Sequence, residues 1–154
     1  MRLDPGCCRI LPQIGGQLAE AGRIDEAERF ITAAPTMVNV SAELALAQAL
    51  DRDGQIARAI KYLSRICGKV ASYGAELLIG YGYERLGDKI LARQHYLRAV
   101  ALLLNADIAA TLVFPDIAPA VTSAERFLRS TGNKKQAEVL RQDDRLAKFF
   151  IESR

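Results

Sequence analysis

Three glycines constrain this chain more than any other feature. Gly22, Gly54 and Gly87 stand 32 and 33 residues apart, and each is followed five residues later by an alanine, Ala27, Ala59 or Ala92. Four residues further on comes a bulky apolar residue, Ile31, Leu63 or Tyr96. A self-similar period of this length means stacked structural units, each too small to bury its apolar face alone. Within a unit the pattern predicts a helical hairpin. Glycine closes the first helix because a left-handed backbone costs least without a Cβ. Acids such as Asp25 and Glu26 then suit the positive end of a second helix. The alanines fall where two helices cross closely, and a larger side chain there would push the pair apart.

The three segments span residues 14–34, 42–66 and 75–99. A degenerate fourth is read over 121–144 from Leu128, Gly132 and Ala137, although Glu125 stands where a small residue is expected and Arg141 where a large apolar one is. Gly132 lies 45 residues after Gly87, so about a third of a repeat is inserted before it. Hairpins are expected over about 8–35, 40–70, 73–104 and 119–152, with an insertion at about 105–118, in one domain covering 1–154. Pro12 falls inside the first helix, and Pro35 to Asn39 reads as a connection between repeats. One long closing helix, from Lys134 to about Phe150, would serve as a charged end cap.

The third segment carries a family resemblance. Gly80, Tyr83, Gly87-Asp88, Ala92, Tyr96 and Ala99 resemble a tetratricopeptide repeat, and Ala47, Leu50, Gly54, Ala59 and Leu63 follow the same pattern in the second. The match is best within residues 40–104 and weaker at both ends. The resemblance implies an all-α fold of antiparallel helical hairpins stacked in a right-handed superhelix. It also implies a concave groove lined by the first helix of each hairpin. The groove residues would be Leu44, Gln48, Asp51 and Arg52 in the second repeat, and Leu77, Tyr81, Glu84 and Arg85 in the third, with Arg126 and Arg129 added by the last hairpin. Arginines beside apolar anchors suit a protein or peptide partner carrying acidic groups. The Lys and Asn pattern by which chaperone-binding members clamp a terminal carboxylate is missing.

Composition narrows the function classes. A chain of 154 residues with 50% hydrophobic and 25% charged residues can bury a core of its own. No apolar run approaches the roughly 20 residues that span a bilayer. Asp4, Pro5 and Gly6 interrupt any secretory signal at once, and Cys7, Cys8 and Cys67 make an odd set, so a cytoplasmic, reducing setting is expected. Chemistry finds few parts. His95 is the only histidine, beside the repeat aromatic Tyr96, and reads as structural. Gly80-Tyr81-Gly82 has neither the spacing nor the preceding strand of a dinucleotide site. Cys7, Cys8 and His95 lack metal-ligand spacing, and solvated turns and helix ends explain the acid pairs Asp51/Asp53 and Asp143/Asp144. The expectation is a binding protein with no catalytic residue, cofactor or metal.

Two other readings follow from the ends of the chain. Residues 120–154 hold 8 basic and 5 acidic side chains, which accounts for the net charge of +3. Arg126, Arg129, Lys134, Lys135, Arg141, Arg145 and Lys148 could meet nucleic acid, but acids are interleaved and only Phe127, Phe149 and Phe150 offer stacking. Uncapped repeat ends could also pair two copies of the chain. Met1 beside an imperfect first repeat suits an accessory domain of a larger enzyme or secretion-system protein.

Overall fold

The computed structural model describes residues 5–33, 38–105, 114 and 116–151. Among them every regular element is a helix. In chain order these are α1 (Pro5–Glu20), α2 (Ile24–Thr32), α3 (Val40–Arg52), α4 (Ile56–Lys69), α5 (Tyr73–Arg85), α6 (Lys89–Leu104), α7 (Ala118–Ser130), α8 (Lys134–Gln142) and α9 (Lys148–Ile151). They form two compact units, Met1–Val70 and Ala71–Arg154.

Each unit is built from two hairpins. In the first, α1 packs on α2 and α3 on α4, with α1 alongside α3. In the second, α5 packs on α6 and α7 on α8, with α5 alongside α7 and the short α9 on α7. The first helices of successive hairpins are therefore neighbours within a unit. Asn39 caps α3, Ser72 caps α5 and Asp88 caps α6, each side chain accepting from a backbone N–H three residues on at 3.0, 3.2 and 3.0 Å.

The four turns are copies of one another. Gly22, Gly54, Gly87 and Gly132 have φ of 78, 77, 83 and 86°. After each, the next N–H returns to the carbonyl five residues earlier: Arg23 to Leu18, Gln55 to Leu50, Asp88 to Tyr83 and Asn133 to Leu128, at 2.9, 2.8, 2.9 and 2.8 Å. This left-handed closure satisfies carbonyls that the helix end would leave unpaired. Gly132 shows that the degenerate fourth hairpin keeps the turn geometry.

Packing inside a hairpin explains the small residues. Ala27, Ala59, Ala92 and Ala137 are all buried. Seven residues before the turn glycine, Gly15 and Gly80 face the bulky residue of the second helix, where an added Cβ would stand 2.6 Å from Ile31 and 2.6 Å from Tyr96. Ala47 holds this position in the second hairpin. In the fourth, Glu125 stands there and Arg141 is exposed, so no bulky residue needs the space, and Leu140 takes over the burial.

Three features differ from expectation or go beyond it. Helix α1 runs unbroken past a buried Pro12. The expected long closing helix is interrupted. Asp143 turns extended, with φ −67° and ψ 123°, and α9 begins five residues later. The cause is local: the Asp143 carboxylate accepts the Arg145 N–H at 2.9 Å and two guanidinium bonds at 2.9 and 2.6 Å, and the bend buries Leu146. Most of the insertion, 106–113 and 115, lies outside the described residues, as does 34–37 of the first connection. At the end of the insertion, Phe114 is buried against Gly74, where a Cβ would lie 2.5 Å from the ring.

Candidate functional site

On α5 the spacing of Leu77, Tyr81, Glu84 and Arg85 puts all four on one face, and α3 repeats this register with Leu44, Gln48, Asp51 and Arg52. Their accessibility differs. Leu77 and Leu44 are buried; Tyr81, Glu84, Gln48 and Asp51 are half-buried; Arg85 and Arg52 are exposed. The two leucines therefore anchor the helices, while the polar residues meet solvent.

In the second unit the structure brings several of these residues together. The Arg85 guanidinium lies 5.4 Å from the centroid of the Tyr81 ring, one turn away, within cation–π range. Glu84 Oε2 accepts two hydroxyls, from Tyr96 at 2.6 Å and from Ser123 on α7 at 3.0 Å. Arg126 Nη2 donates to the Ser123 hydroxyl at 3.1 Å. Burial, reinforced by the Glu84 carboxylate, pushes the Tyr96 phenol far above its usual pKa, so it stays a donor. The Tyr96 ring meets Phe127 edge-on, with centroids 5.5 Å apart.

Arg129 lies apart from this network. It pairs with Glu125 at 2.6 Å and Glu138 at 3.3 Å, which hold its charge more firmly. The sequence reading missed Ser123 and the polar role of Tyr96. A signal was present: Tyr96 stands where the first two hairpins carry Ile31 and Leu63, and a buried tyrosine hydroxyl demands a partner.

The remaining chemistry-bearing residues have structural surroundings. His95 Nδ1 lies 2.6 Å from Glu76 Oε2, and its ring stacks on Tyr83 at 5.5 Å. Cys67 is half-buried and takes part in no disulfide. The side chains of Cys7 and Cys8, at the start of α1, lie outside the described residues. Among the described residues no three His, Cys, Asp or Glu side chains gather where a metal could be held. None of the described helices is long and apolar enough to cross a membrane.

Several basic residues of the C-terminal hairpin are internally engaged. Arg145 holds Asp143, donates to the Leu103 carbonyl at 3.1 Å and lies 5.2 Å from the Tyr73 ring. Arg141 covers Phe150 and Lys148 covers Phe149, at 5.5 and 5.0 Å. The three phenylalanines that the sequence offered for base stacking thus have partners within the unit.

The chain is similar to the crystal structure of MamA, with a TM-score of 0.58 at 18% identity, over 99% of this chain and 86% of that one. The fold is a TPR-like helical repeat. No protein-family model and no curated protein matches the sequence. The likeness concerns fold alone.

Proposed function

We propose that this chain is a protein-interaction module, and not an enzyme, that receives a peptide or protein segment on the first helices of its hairpins in a cytoplasmic setting. The α5/α7 face is the principal contact surface. The observation that carries this reading is the Tyr81 and Arg85 pair. An aromatic ring and a guanidinium stacked one turn apart present a partner with apolar area and cationic donors, at low entropic cost. On α3, Gln48, Asp51 and Arg52 offer a second polar surface in the same register. The engaged arginines and phenylalanines of the C-terminal hairpin favour this reading over nucleic-acid binding.

Affinity capture with the full chain, compared with the double variant Tyr81→Ala plus Arg85→Ala, tests it. Both residues reach solvent, so the variant is expected to keep its helical circular dichroism and to lose the captured protein. A variant that stays folded and retains that protein would sink the assignment of the face.

A further inference from the structure

The second unit carries a polar side chain at a repeat position that is apolar in the first. Where Ile31 and Leu63 fill the corresponding positions, Tyr96 brings a hydroxyl, and Gly80 makes room for its ring against α5. Tyr96 is 0% and Ser123 4% exposed, so both donors to Glu84 are fixed by packing. Both are spent on Oε2, which leaves Oε1 without a hydrogen-bond partner among the described residues. Having given its proton to Glu84, the Ser123 hydroxyl can only accept from Arg126. Among the described residues no carboxylate pairs with Arg126. The result is an oriented acceptor and an oriented cationic donor, held one hydroxyl apart on an exposed face.

We propose that Glu84 Oε1 and the Arg126 guanidinium read a carboxamide of the bound segment, an Asn or Gln side chain. The amide N–H donates to Glu84 and its carbonyl accepts from Arg126. This rests on the interaction-module reading and deepens it. Charge decides the class of ligand: an ammonium drawn to Glu84 would meet the positive charge of Arg126, and a carboxylate drawn to Arg126 would meet Glu84. An amide offers donor and acceptor side by side and carries no charge to repel either. Ser123 and Tyr96 are positioning residues, since neither needs to touch the ligand.

The test titrates the 15N-labelled full chain with N-acetyl-asparagine N-methylamide, and with its aspartate and lysine counterparts, following backbone amide shifts. The asparagine probe is expected to move the signals of residues 84, 123 and 126. Glu84→Gln keeps an acceptor for the two hydroxyls but removes the acceptor for the ligand, and Arg126→Gln removes the cationic donor. Each is expected to weaken the asparagine probe by at least about tenfold, the scale of one hydrogen bond to a charged group. The inference is overturned if the aspartate or lysine probe binds as tightly, if no probe moves these signals, or if both variants bind as before. The capture assay separates the two readings. Loss of the partner with Tyr81→Ala plus Arg85→Ala but not with Glu84→Gln or Arg126→Gln rejects the carboxamide reader alone. Retention by all variants rejects the interaction face itself.

Discussion

Gly80 and Tyr96 show how one absent methyl group sets what a helix can carry. A Cβ at residue 80 would stand 2.6 Å from the Tyr96 ring and 3.2 Å from the Ala92 carbonyl oxygen, so the ring or the helix pair must shift. We predict that Gly80→Ala destabilises the protein by about 1–3 kcal/mol, the usual cost of overpacking, as read by urea denaturation. Tyr96→Phe keeps the ring but takes one donor from Glu84, and a loss of about 1–2 kcal/mol is expected. Because both changes disturb the same contact, the double variant should lose less than the sum. Additive losses would show that the hydroxyl and the close approach are energetically separate. The packing half of this pair was legible in sequence, since small and bulky residues recur at fixed distances from each turn glycine. The polar half was not. The Tyr96 hydroxyl ends on an oxygen shared with Ser123, and Ser123 lies beyond the insertion, where the repeat spacing gives no register.

At the scale of the element, the four hairpin turns owe their stability to backbone conformation. Gly22, Gly54, Gly87 and Gly132 have no atom within 4 Å of an added Cβ, yet all four sit at positive φ. Alanine at any of them should therefore cost about 1–2 kcal/mol through φ alone. Gly68 is the control. It has equally open space but lies inside α4, so Gly68→Ala should stabilise by about 0.5–1 kcal/mol. Thermal melts of the five single variants would decide it, and a Gly68→Ala protein that melts below the parent would contradict the account. The turns were legible because glycine at a helix end has one dominant cause. The break between α8 and α9 was not. Residues 134–150 carry enough apolar and charged side chains for one helix, and what ends it is Arg145 folding back on Asp143 two residues before it. That contact wins because it also satisfies the Leu103 carbonyl and lets Leu146 reach the core.

Acid stability belongs to the whole molecule, because carboxyl groups in both units pull it in opposite directions. Glu43 on α3 is wholly buried, and Arg65 Nη2 lies 3.0 Å from Oε1 without hydrogen-bond geometry. Burial pushes its carboxyl above the ordinary value of 4.5, and Arg65 offsets only part of this. Burial also acts on Glu28, but the Tyr62 hydroxyl and Arg58 outweigh it and bring that carboxyl down. Asp143 is lowered by its bonds to Arg145. A group with a raised folded pKa contributes stability that is complete below its unfolded value and is lost as pH climbs through the folded one. Groups with lowered pKa values contribute above their unfolded values and lose that contribution as pH falls through the folded ones. On acidification from neutrality, protonation of Glu43 should therefore stabilise the fold first, and protonation of Glu28 and Asp143 should undo the gain at lower pH. Glu43→Gln cannot titrate and should lack the early rise. We predict that the melting temperature of the parent minus that of Glu43→Gln is greatest at and below pH 4.5, falls as the pH rises above it, and levels off once the pH has passed the raised folded value. A difference that stays flat would mean that Arg65 compensates the buried charge in full, and a difference that grows would reverse the sign of the Glu43 shift.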